Sequence, residues 1–251
     1  MPQPRTQSLV KTDGQPTWAE AIETVMRSHG FFATLKQLHA EAPLLKQHAG
    51  KTPGMTINYT VQMDNRFTKI MPGIWALTAY LEQLPQHLNP LIPETENKRT
   101  EIGHALMQGY LIEIGTSRGL NTFSPDKSSL FLDKTLGDII SIKQCPAFTY
   151  EHVVRHIKYI DVLWFNSRSY PTNVIEVEHS TNFRNSLLKF LELQDFTTQM
   201  TIVAPVERKE QFEREVSRST FDCISRRVRF ISYTEIEKIY AASATLASSV
   251  L

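Results

Sequence analysis

The chain has 251 residues, 41% of them apolar, a formal net charge of +1 and two cysteines. That length and apolar content can bury a substantial core, in one large domain or two small ones. The near-zero charge excludes a global basic field, so any nucleic-acid site must be a local patch. Cys145 and Cys223 stand far apart in no metal-ligand spacing. Together with the lack of an export signal at the N-terminus, this reads as a reduced, cytosolic protein. No apolar run approaches the roughly 20 residues needed to cross a bilayer, so a membrane role is not expected.

Residues 1–16 are polar and proline-rich and read as a flexible tail. Residues 17–84 carry the marks of a small helical unit. Thr17 and Glu20 form a capping-box pair, and Trp18, Ala21, Ile22, Val25 and Met26 make one apolar face that Gly30 ends. The stretch "TLKQLHAEAP" predicts a second short helix stopped by Pro43, and "TPGMTINYTVQM" a third, with Thr52 as its cap. "RFTKI" and "IWALT" alternate around Met71, Pro72 and Gly73 as a hairpin. Three helices and a hairpin make a winged helix. The wording from about Thr17 to Leu81, with "KTP" before the third helix and "RFTKIMPGIWAL" as the wing, resembles the HARE type of winged helix-turn-helix, which implies DNA binding. On a third helix lying in the major groove, Lys51, Thr56, Asn58, Tyr59 and Gln62 become the candidate readers, with Arg66 and Lys69 on the wing. The competing reading is a solvated face on a protein-binding unit, since Glu20, Glu23 and Glu41 leave the segment hardly basic.

Residues 85–99 hold three prolines in polar sequence without helical period and read as a linker. From 100 to 251 helix and strand alternate. "TEIGHALMQGYLIEIGTSRG" is a strong helix, followed by the strand "LNTFS", an irregular piece through Pro125 and Pro146, and the helix "YEHVVRHI". Next come the acid-bearing strands "YIDVLWFN" and "VIEVEHST", then helix, strand, helix, strand and a last helix from Thr234. The expected fold class is mixed, an N-terminal winged helix-turn-helix before an α/β unit whose mixed sheet is flanked by helices.

The two acid-bearing strands raise a chemical problem, because a buried unpaired carboxylate costs several kcal/mol or takes up a proton. Glu176 and Glu178 alternate onto one face of their strand, where Asp161 of the neighbouring strand can meet them. A hard divalent cation with oxygen ligands would hold three such acids ionised. The alternative is a structural ion pair with Arg155, Lys158 or Arg184. A helix, a strand pair carrying an Asp and then an acidic couplet, and a following helix resemble the PD-(D/E)XK nuclease superfamily. The phrases "HALMQGYLIEIGTSRG", "YIDVLWFN", "IEVEHST", "IVAPVERK" and "REVSRSTF" resemble one bacterial restriction-endonuclease-like group within it.

That resemblance implies a magnesium-dependent deoxyribonuclease, with manganese as substitute, acting on double-stranded DNA in restriction or another defence. Asp161 and Glu176 would be metal ligands, and Asp161, Glu176 and Glu178 catalytic. A homodimer and a partner methyltransferase or other defence component are open possibilities. The chain departs from the superfamily in carrying Glu178 where a lysine usually ends the couplet. That leaves open a non-catalytic DNA-binding regulator with a degenerate nuclease fold, and a repair or junction nuclease. Lys189 on the next helix is a candidate replacement cation, set against a solvated helix lysine. Gln108 is a supporting candidate near the acids, while His104 reads as a structural hydrogen bonder and His179 as a partner of loop backbone. "SPDK" reads as a loop, and the five arginines between Arg214 and Arg229 as phosphate contacts or an exposed face.

Overall fold

The computed structural model describes residues 14–93, 95–179 and 182–247. The tail expected at 1–16 therefore lies mostly outside the described residues, as do Ser180 and Thr181 of the acidic phrase. The first helix, α1 (Trp18–Ser28), has both halves of its capping box: the Thr17 side chain accepts from Glu20 N, and Glu20 accepts from Thr17 N. After Gly30, whose φ of +79° favours glycine, comes β1 (Phe32–Thr34). A second capping box, Thr34 with Gln37, starts α2 (Leu35–Glu41). The helix α3 (Pro53–Met63) begins after Thr52 as expected, but the Thr52 side chain makes no capping hydrogen bond. The hairpin is β2 (Phe67–Met71) and β3 (Ile74–Leu77), and β1 completes a three-stranded sheet in the order β1-β3-β2.

The remainder opens with α4 (Glu96–Ser117), four residues earlier than its apolar period indicated, with the Thr95 side chain as N-cap. Then follow β4 (Asn121–Phe123), a small pair β5 (Leu130–Phe131) and β6 (Lys134–Thr135), α5 (Leu136–Ile139) and α6 (Glu151–Ile157). The acid-bearing strands are β7 (Val162–Phe165) and β8 (Pro171–Val177), leading to α7 (Phe183–Leu191) and β9 (Gln199–Ala204). The chain continues with α8 (Lys209–Val216), α9 (Asp222–Ser225), β10 (Val228–Ser232) and α10 (Tyr233–Ala247). The five-stranded sheet runs β10-β9-β8-β7-β4, parallel across β8, β9 and β10 and antiparallel across β8, β7 and β4. It is the mixed sheet with flanking helices that the alternation predicts. The strand β8 sits at its centre, which is why its apolar positions are a continuous buried run rather than a simple alternation.

The core of α1, α2 and α3 closes on itself around Ile22, Met26, Leu38 and Ile57. A second core runs across both parts of the chain, joining Phe32, Ile74 and Ala76 to Met107 and Tyr110 of α4 and to Tyr240 of α10. Polar bonds lie along this seam. Tyr110 donates to Pro72 O at 2.6 Å, and Glu113 accepts from Lys36 at 2.7 Å and from Tyr240 at 2.8 Å. Leu84 and Leu88, in and beside the proline-rich segment, are buried in the same core. Among the described residues no helix is long and apolar enough to cross a membrane.

Candidate active site

The centre of the sheet brings together the acids that the sequence separates. The register sets Val162 opposite Ile175, so Asp161, just before β7, reaches β8 beside Glu176. Its Oδ2 accepts from Val177 N at 2.8 Å and from His104 Nε2 at 3.2 Å. Glu176 and Glu178 are 3% and 5% exposed. They share a face as strand alternation requires, because the Ser186 hydroxyl of α7 lies between them, bonded to Glu178 Oε1 and 3.3 Å from Glu176 Oε2. One hydroxyl proton serves one of these contacts, and a proton on the Glu176 carboxyl would serve the other.

The cation paired with Glu176 is Lys189. Its Nζ donates to Glu176 Oε1 at 2.7 Å and to Tyr159 O at 3.0 Å, which overturns its reading as a solvated helix lysine. Ser186 and Lys189 are three residues apart, one turn of the same face of α7, and this places both over the couplet. Of the alternative partners, Arg155 pairs with Glu151 of its own helix, and Lys158 lies over the Tyr159 ring. Arg208 donates to Glu178 O at 2.9 Å and lies 4.3 Å from the centre of the Phe183 ring.

The electrostatics follow from crowding acids in a dry place. Burial and the Asp161 charge push the Glu176 carboxyl up to about 8, against the opposing pull of Lys189. Burial also raises Glu178, with the Ser186 hydrogen bond working against it. Burial opposes a charge on His104, but the hydrogen bond to Asp161 and the surrounding carboxylates outweigh it, and the ring titrates above its ordinary value. A carboxyl whose folded pKa is raised binds its proton more tightly in the native state, so its stabilising effect is complete below the unfolded value and fades as pH rises. Without divalent cations, native stability should therefore decline between about pH 4.5 and 8. Urea midpoints measured across that window should show a weaker decline in Glu176→Gln; an unchanged slope would contradict this assignment.

The donor chemistry suits a hard divalent ion. The groups are carboxylate oxygens, and buried Glu178 Oε2 has no hydrogen-bond partner among the described residues. The expected gathering of all three acids into one ligand cluster is not found: among the described residues no three His, Cys, Asp or Glu side chains are grouped to hold a metal. Instead His104, Ser186 and Lys189 each engage one or more of the acids.

Other expectations fare differently. Gln108 is buried, with Oε1 unpartnered among the described residues, one turn along α4 from His104. His104 is a hydrogen bonder as expected, but its partner is Asp161 itself. His179 Nδ1 has no partner among the described residues, where a backbone bond was expected, and its ring lies 6.0 Å from that of Tyr233. Asp126 of "SPDK" lies in a loop, as expected, and lines a cleft of about 270 Å³ with His104, Val177 and His179. Only the fold of the loop brings it there, while its carboxylate is tied to Ser128 N and Ser129 N, both at 3.1 Å. Arg227 donates to the carbonyls of Gln194, Phe196 and Thr198, a loop clamp rather than a phosphate contact.

Far from the acids, α3 carries no charged residue. Lys51, Tyr59 and Gln62 are exposed and Thr56 is half-buried. Asn58 Oδ1 accepts from His39 at 2.9 Å, Arg66 pairs with Asp64 and Glu23 at 2.7 and 3.3 Å, and Lys69 lies 3.4 Å from Glu237.

A protein similar to this chain is the Type II restriction enzyme NmeDI of Neisseria meningitidis serogroup C, 27% identical over 150 residues, which are 55% of this chain and 42% of that protein. The chain thus spans about two fifths of its relative's length. No solved structure matches it. The matched region of the family model, residues 84–250, contains the whole five-stranded sheet and every acid of the site. By that match the chain belongs to the family of the Type II restriction enzyme NmeDI C-terminal domain.

Proposed function

We propose that the chain is a metal-dependent DNA endonuclease of a restriction or related defence system, with a PD-(D/E)XK type of site. The observation that carries this reading is that Asp161 stands beside Glu176 in the sheet register, Glu176 and Glu178 share the Ser186 hydroxyl, and Lys189 pairs with Glu176. Asp161 and Glu176 would hold magnesium, or manganese in its place, and the ion would polarise the scissile phosphate and stabilise the departing 3′ oxygen. Glu178 would orient the attacking water and take its proton, and burial, which raises its pKa, makes it a stronger base than an exposed carboxylate. Lys189 supplies the cation absent from the couplet, and Ser186 and His104 fix the rotamers of the acids. Gln108 backs the site from α4.

Residues 17–84 would form the winged helix that locates the DNA, and 85–99 the connection to a nuclease unit at 100–251. The order of α1, α2, α3 and the β2–β3 hairpin supports that reading. Lys51, Thr56, Tyr59 and Gln62 would face the groove, while Asn58, Arg66 and Lys69 would exchange their present partners for DNA. A second reading of this unit has its own observation. Met55, Tyr59 and Met63 are 72%, 65% and 64% exposed on one stripe of α3, which suits a protein partner. Double-stranded DNA is the partner under the first reading, with a homodimer or a partner methyltransferase compatible with it.

Incubating the purified chain with magnesium and with modified or unmodified plasmid tests the activity, and Tyr59→Ala separates the two readings of α3. Weaker DNA binding in that variant supports groove reading, whereas unchanged DNA binding across a range of salt favours protein docking.

A further inference from the structure

Between the β2–β3 hairpin, the segment around Leu88 and α4 lies a cleft of about 370 Å³ with His179 and Tyr233 in its wall. The volume falls within the range of about 300–1,000 Å³ usual for ligand sites. Much of the lining is apolar, from Ile70 and Met71 on the hairpin to Ile102 and Met107 on α4. Two buried polar atoms, His179 Nδ1 and Tyr233 Oη, have no hydrogen-bond partner among the described residues. Leaving such groups unpaired is costly, and both residues stand in the wall of this cleft, so an occupant with a hydrogen-bonding edge toward which either side chain turns would satisfy them.

The glycines of α4 give a second, independent sign. At Gly109 and Gly115 an added Cβ would lie 2.0 Å from Phe131 and 2.6 Å from Trp164, so packing demands glycine there. At Gly103 a Cβ would meet nothing within 4 Å, although glycine weakens a helix interior relative to alanine. Gly103 lines the cleft, and its missing side chain keeps the space open.

The location indicates what enters. His179 follows Glu178 directly in the chain, and the Tyr233 hydroxyl feels the charges of Glu178 and Asp161. The same burial and charges hold that hydroxyl protonated, as a donor. Through His179 and Tyr233 the cleft therefore borders the surroundings of the carboxylates, and Arg99 in its lining is a cation that can take a phosphate. We propose that this cleft receives a nucleobase unstacked from the DNA strand whose phosphate lies at Asp161, Glu176 and Glu178. Apolar walls accept the flat faces of the ring, and Tyr233 Oη and His179 Nδ1 meet its edge. The inference rests on the nuclease reading for the identity of the strand, and its test is read without cleavage.

The full chain in EDTA is titrated with the four deoxynucleoside 5′-monophosphates and with deoxyribose 5-phosphate, using ligand-observed NMR. It is titrated in parallel with a paired duplex and the same duplex carrying a one-nucleotide bulge. At least one nucleotide should bind where the sugar phosphate does not, and the bulged duplex should bind more tightly than the paired one. Gly103→Leu, which fills the cleft with a better helix former, should remove both preferences. Tyr233→Phe, which keeps the ring, should weaken base binding by about fivefold, the loss of one hydrogen bond. Equal binding of the sugar phosphate, or full nucleotide binding in Gly103→Leu and Tyr233→Phe, overturns the base site. Nucleotide binding that Gly103→Leu abolishes, with no preference for the bulge, overturns the DNA strand as its source in favour of a free nucleotide. DNA cleavage without base binding defeats the cleft and spares the nuclease reading; base binding in a chain that never cleaves DNA does the reverse.

Discussion

Glu178→Gln will lower DNA turnover by about two to four orders of magnitude, the range for losing a general base, with DNA affinity almost unchanged. The amide keeps the size of the side chain and can still accept from Ser186, so the fold around β8 and α7 stays in place. What is lost is the basic oxygen that burial poises nearer neutrality. Single-turnover cleavage separates this from a binding defect, because a positioning role alone would be largely rescued by the isosteric amide. Undiminished turnover in Glu178→Gln removes Glu178 from the chemistry and shifts the burden to Lys189 and the remaining two acids.

Asp161→Ala will abolish stabilisation by divalent cations. An ion that binds only the native state raises its stability by about 2.7 kcal/mol at one hundred times its dissociation constant, so the wild type should melt several degrees higher with manganese than with EDTA. In the variant the two melting temperatures should coincide. Asp161 also accepts from Val177 N and His104, so its removal destabilises the metal-free protein as well. The difference between the two conditions, measured within each variant, is therefore the informative quantity. Glu176→Gln should behave similarly, with extra metal partly restoring the shift by mass action. Equal shifts in wild type and Asp161→Ala would place the ion elsewhere.

Much of this fold can be read from local sequence. The capping boxes at Thr17 and Thr34, the apolar period of α4 and the runs of β7, β8 and β9 depend on neighbours within a few residues, and each forms at its signal, α4 with one further turn at its start. What the sequence hides is non-local or very short. The strand β1 has three residues and exists because β3 pairs with it. The His104 contact with Asp161 spans 57 positions, and that between Lys189 and Glu176 spans 13 and depends on how α7 lies over the sheet. The seam between hairpin and α4 was equally hidden, because Tyr110 reads as one more apolar position until its hydroxyl is seen on Pro72 O. In the site, strand alternation sufficed to place Glu176 and Glu178 together. It could not show that Ser186 lies between Glu176 and Glu178 and that Lys189 pairs with Glu176, where a ligand cluster was expected.

Metal-dependent cleavage at these acids is tested most directly on supercoiled plasmid, both unmodified and base-modified, with the purified wild type and Asp161→Ala in magnesium, manganese or EDTA. The wild type should give nicked or linear product on at least one plasmid with either metal and none in EDTA, and the variant should give none. An intact plasmid under every condition, or equal cleavage by Asp161→Ala, would contradict that assignment.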